Sequence, residues 1–233
     1  MQRLKLLGLA LVAIFALSAL VSATSFGAIE ILNKNKVKVE NTEFSGHSNK
    51  ETVFTVLEFF GKTKCPEVLI EAHLLSAQLG DFHLHWHKCT TNLGGTCTGL
   101  GDEEGLILAL GTFHLVYDKL LAEGPLGAGI LFLLEHVHYV CEGGLIIGKK
   151  LVLVLGEVLC LIEPLTLGTE IKVKCEGTNG DPAETKYWTE NGQEVNMGQN
   201  ALLASEDEGT TYKMSAESGE AVATASEQVE LMD

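Results

Sequence analysis

The chain reads as an all-β protein, an antiparallel sandwich or barrel with an acidic C-terminal hairpin region. Three observations predict this. Short runs rich in β-branched and aromatic residues recur along most of the sequence. Glycine-rich breaks separate them, at Gly94-Gly95, Gly99–Gly105, Gly124–Gly129, Gly143-Gly144 and Gly168. One run, Asp81-Phe82-His83-Leu84-His85-Trp86-His87-Lys88, alternates strictly, so its odd and even positions face opposite sides of a sheet.

In chain order, Met1–Ala23 has the three parts of a secretory signal peptide. Arg3 and Lys5 give a positive start, Leu6–Leu20 is apolar, and Val21-Ser22-Ala23 offers small residues to a peptidase. The apolar run is shorter than the roughly 20 residues that span a bilayer. Cleavage after Ala23 is therefore expected, with the mature protein secreted or held in the cell envelope. The main β domain then runs from 24 to 176. Its strands are expected at Thr52–Phe59, Asp81–Lys88, Leu106–Tyr117, Ile130–Cys141, Leu151–Ile162 and Glu170–Cys175. Val68–Leu79 also suits a helix by composition, but its neighbours favour a strand. Leu131–Leu134 and Leu151–Leu155 are apolar on both faces and call for cover on both sides. Residues 177–233 are expected to form an acidic β extension, read as edge hairpins or a small appended sheet, in the same domain or beside it, with a fully disordered tail as the alternative. Asn191-Gly192 marks a tight turn there, and Val222, Thr224, Ser226 and Gln228 share one face of a weakly alternating run.

The formal net charge is -15, and loss of Arg3 and Lys5 makes the mature chain more negative. With no basic stripe, a nucleic-acid partner is not expected. The later apolar run Leu145–Ile162 is broken by Lys149, Lys150 and Glu157, so no transmembrane span is expected in the mature chain. The sequence identifies no partner.

Six cysteines in an exported chain point to disulfides. The short loop Thr90–Thr96 suggests Cys89–Cys97, and a hairpin suggests Cys141 with Cys160. No Cys-x-x-Cys pair supports a zinc site built on cysteine.

The histidines carry the most chemistry. His83, His85 and His87 share one strand face, His136 and His138 share another, and His114 lies on a third run. Converging imidazoles would take Zn²⁺ or another divalent transition metal such as Cu²⁺ or Ni²⁺. Two other roles are open to them: the solvent face of a half-buried strand, and a surface that responds to pH. No motif requires a cofactor. His136-Val137-His138 with Glu142 resembles the first metal-binding motif of the cupins, which are β-barrels. The flanking Gly129 and Gly148 are each one residue out of place, and no second cupin motif follows. Glu142 joins the metal candidates on that resemblance.

No nucleophile elbow, phosphate loop or dinucleotide fingerprint occurs. Gly101-Asp102-Glu103-Glu104-Gly105 lacks the alternating oxygen ligands of a calcium loop and reads as a solvated turn. Phe44–Phe54, Cys89–Asp102, Phe113–Asp118 and Gly156–Ile162 resemble segments of a group of uncharacterised exported bacterial proteins. That resemblance implies export and a shared β fold, and transfers no catalytic residue. The expectation is a non-enzymatic exported protein with a binding or structural role. The alternatives are a histidine-rich metal protein or metalloenzyme, and a carrier of small apolar ligands. A closed barrel with an apolar cavity would favour the carrier.

Overall fold

The computed structural model describes residues 28–48, 50–56, 61–119, 127–142, 148–163, 166–178, 181–198, 201–205 and 209–232. The leader lies outside them. The strands are β1 (Glu30–Asn33), β2 (Glu43–Ser48), β3 (Thr52–Val56), β4 (Gly61–Cys65), β5 (Glu67–Leu74), β6 (Leu79–His87), β7 (Thr90–Thr91), β8 (Thr96–Gly99) and β9 (Ile107–Lys119). They continue as β10 (Gly127–Glu142), β11 (Lys149–Glu163), β12 (Gly168–Cys175), β13 (Gly177–Thr178), β14 (Asp181–Pro182), β15 (Lys186–Trp188), β16 (Glu194–Asn196), β17 (Leu203–Ser205) and β18 (Lys213–Met232). No α-helix occurs among the described residues, and so none long and apolar enough to cross a membrane. The all-β expectation holds. Val68–Leu79 resolves into a strand and a turn: β5 ends at Leu74, and Ser76 Oγ accepts from Leu79 N at 3.2 Å before β6 begins.

The strand pairings close on themselves twice. The first ring runs β18-β2-β5-β6-β9-β10-β11-β12 and returns to β18, every pair antiparallel. The second runs β18-β3-β4-β7-β8-β10-β11-β17 and returns to the same strand. Three long strands, β10, β11 and β18, pass through both rings. Each changes partners part-way: β10 pairs with β9 up to Leu134 and with β8 from Tyr139. Between those segments Leu134 faces Gly156 and Val137 faces Val154, so two residues oppose one and the strand bulges. Closure leaves few open edges for foreign strands.

The C-terminal region is part edge and part interior: the β15–β16 hairpin ends the sheet beside β9, β13 and β14 form a small sheet of their own, and β18 is central. Its longest strand, β18, lies between β12 and β2 in one ring and between β17 and β3 in the other. The reason lies in its side chains. Ala223 and Ala225 turn inward, Ala223 lining the apolar interior with Phe44, Phe113 and Phe132, while Thr224, Ser226 and Gln228 face out. The hairpin at Asn191-Gly192 forms as expected, joining β15 to β16 with Gly192 at φ 69°.

The first ring is filled by aromatic and aliphatic side chains. Phe82 and Phe113 are buried, and Phe82 meets Phe132 edge-on at 5.0 Å. Phe113 and Phe82 each face a glycine on the next strand, Gly80 opposite Phe113 and Gly111 opposite Phe82. A Cβ on Gly80 would sit 2.3 Å from the Phe113 ring, and one on Gly111 2.1 Å from the Leu133 carbonyl oxygen. The rings therefore lie over the bare backbone. Outside this ring, Val116, Leu131 and Leu159 are covered by Met197 and Ala201, the second layer that the doubly apolar strands require.

The second ring is held by cross-links. Cys65–Cys89 and Cys97–Cys141 are bonded there, and Cys160–Cys175 ties β11 to β12 in the first ring. All four expected cysteines are bonded, but both expected pairings are wrong. Cys89 and Cys97 are neighbours through a backbone hydrogen bond of 2.8 Å, yet each sulfur turns to another strand. Cys141 sits directly across from Cys97, and Cys160 from Cys175, with Cα atoms 4.0 and 4.3 Å apart. The β10–β11 hairpin sets Cys141 opposite Lys150, ten residues short of Cys160. Three disulfides fit an oxidising compartment.

Candidate functional site

Strict alternation on β6 places Phe82, Leu84 and Trp86 inside the first ring and His83, His85 and His87 outside. His83 is exposed, His85 and His87 are half-buried, and the last two stack with centroids 6.4 Å apart. Neighbouring strands set acids beside these imidazoles. Glu71 on β5 lies between Ser45 on β2 and His83 on β6, and His73 lies between Glu43 and Asp81. Directly opposed side chains in such pairs have Cβ atoms about 5 Å apart.

These two rows line a groove of about 590 Å³ on the outside of the ring, with Thr224 and Ser226 of β18 along its rim. Glu43, Glu71 and His83 are exposed; His73 and Asp81 are half-buried. Two imidazoles thus meet three carboxylates. Sequence reasoning picked out His83 here but missed His73, Glu43, Glu71 and Asp81. Their signal was available as alternation on β2 and β5, but only register brings them together.

The other predicted metal residues go elsewhere. His114 is exposed on β9, four residues beyond Leu110, the partner of His83, which is about 13 Å along the strand. His138 is exposed on the part of β10 that belongs to the second ring, beside Leu153. His136 lies at the β10 bulge, with its side chain outside the described part. Glu142, the cupin-like position, is exposed at the end of β10 and ion-paired with Lys149. Among the described residues, no three histidine, cysteine or acidic side chains are placed to hold a metal ion. In the acidic turn, Asp102 Oδ2 accepts from Leu108 N at 3.1 Å, a backbone-fixing role.

Inside the first ring two smaller cavities remain. One, of about 70 Å³, is wholly apolar and lined by Phe44, Phe113, Ile130, Phe132, Ile171 and Leu231 among others. The other, of about 50 Å³, lies where the rings meet and includes Glu217 in its wall. Outside, burial pushes the Glu157 carboxyl up, and burial together with Glu157 pushes up the phenol of Tyr187. These two belong to the covering layer and adjoin neither cavity nor groove.

No family, no curated protein and no solved structure matches this chain.

Proposed function

We propose that this is an exported, non-enzymatic binding protein whose ligand site is the outer groove of the first ring. Volume carries this choice. Sites for small ligands are typically about 300–1,000 Å³, and the groove, at about 590 Å³, is of that size. The carrier alternative has its closed ring and apolar cavity, but about 70 Å³ is half of the roughly 150 Å³ that admits benzene. The metal alternative has no ligand set in one place among the described residues. Export is supported by the leader-like start, by the resemblance to exported bacterial proteins and by the three disulfides.

The groove's carboxylates outnumber its imidazoles, and its rim offers hydroxyls. This chemistry selects a cationic ligand rich in hydrogen-bond donors, such as a stretch of amine-bearing side chains. Because most of the groups are exposed, binding weakens with added salt. Residues 24–233 titrated with tetralysine should show saturable NMR shifts at amides of β2, β5 and β6. The triple variant Glu43→Gln, Glu71→Gln, Asp81→Asn should lose them. Shifts that map elsewhere, or survive in the variant, would reject the groove. Turnover of an envelope substrate that one point substitution abolishes would reject the non-enzymatic role.

A further inference from the structure

Glu217 is out of keeping with the rest of β18. Two residues before it, the hydroxyl of Ser215 donates to Thr55 O at 2.9 Å. The Glu217 carboxyl has no hydrogen-bond or ion-pair partner among the described residues. It lines the cavity of about 50 Å³ at the joint of the rings, together with Val68, Leu84, Trp86, Phe132 and Val173. Its accessible surface is intermediate although desolvation dominates its ionisation; the cavity it lines accounts for both. Burial alone makes it a weaker acid, with its pKa pushed up to about 7.

Among the described residues that line the joint, Glu217 and Glu220 are the ionisable ones. The cavity walls from β2, β3, β5, β6 and β10 carry no ionisable side chain, and Cys175 of β12 is bonded to Cys160. On β18 itself, Glu220 is tied to Lys50 at 2.6 Å. A neutral carboxyl is tolerable in such a place, whereas an unpaired carboxylate must bring water with it. The space suits one or two water molecules at about 30 Å³ each.

We propose that Glu217 makes the joint between the two rings a proton-operated latch: neutral, it keeps the joint dry and closed, and as a carboxylate it draws water in and loosens the strands around it. Opening releases the carboxyl proton to bulk water. The joint cavity shares Ile70, Phe132 and Val173 with the apolar lumen, so loosening the joint joins the two spaces. This does not depend on the outer groove.

Trp86 lines the same cavity and reports on its hydration. Raising the pH from about 5.5 to about 8.5 should shift tryptophan emission to the red by several nanometres, with a midpoint near 7. Glu217→Gln should keep the low-pH emission throughout. A companion measurement needs no variant: with carboxyl-labelled glutamate, wild-type protein should show one glutamate titrating near 7 by carbon NMR. Absence of such a glutamate overturns the latch, as does an emission change that persists in Glu217→Gln.

Discussion

The two rings share β10, β11 and β18 and solve the same problem of closure differently. The first has long strands and an interior of interlocking phenylalanines over glycines. The second has strands as short as Thr90–Thr91 and an interior occupied by two disulfides, with Thr63 Oγ1 and Tyr139 hydroxyl in contact at 3.2 Å and Ser215 bonded to backbone. Short strands bury little apolar area, and the hydrophobic return scales with area. Covalent links make up the difference by restricting the unfolded chain. Packing weighs more in the first ring and cross-linking more in the second, which holds two of the three disulfides, and the Glu217 carboxyl stands where the two designs meet.

Removing both second-ring bridges, by serine at Cys65, Cys89, Cys97 and Cys141, should have the largest effect. Bridges over separations of 24 and 44 residues contribute about 3–4 kcal/mol each in the chain-entropy account. Limited proteolysis should then cut β4, β7 and β8 while β5 and β6 stay protected; uniform cleavage would show that the rings do not differ in this way. Phe113→Ala attacks the other design and should cost about 4 kcal/mol, read from the urea midpoint at constant slope. Glu217→Gln comes next. Its folded carboxyl holds a proton more tightly than the unfolded one at 4.5, so its contribution is full below about 4.5 and is lost as pH rises through about 7. Above that, Glu217→Gln should be the more stable by at most about 3 kcal/mol, and equal pH profiles for the two proteins would contradict the burial. Gly111→Ala should cost about 1–3 kcal/mol, because the added methyl meets the backbone of Leu133. Smallest of all, Glu67→Gln breaks the exposed pair with Lys88 and should leave the melting temperature unchanged.

Much of the first ring was legible as strings of residues. Alternation on β6 gave its two faces, glycine clusters gave the breaks, and doubly apolar stretches announced a covering layer. Closure was not legible, because it depends on register across β10 and a bulge at residues 135–136 shifts that register. The disulfide pairing failed for the same reason: proximity in sequence favours Cys89 with Cys97, while cross-strand position favours Cys97 with Cys141. In β18, Ala, Ser, Thr and Gly look like a weakly hydrophobic tail, yet small side chains are what a strand between bulky neighbours needs. At the outer groove, the histidines on β6 stood out by their spacing. Glu43, Glu71 and Asp81 were three acids among 31 Asp and Glu, and Glu217 was another, until packing set it apart.

The strand common to both rings also fixes an order of events in time. β18 follows every other strand in the chain, yet each ring is complete only when it is inserted. A chain emerging from a ribosome or a translocation pore can form local hairpins such as β5–β6 and β10–β11 early. Neither ring can close until β18 has appeared, and such distant pairings are slow to form. Local hairpins can therefore form early, but both rings become able to shut only once the same late segment arrives.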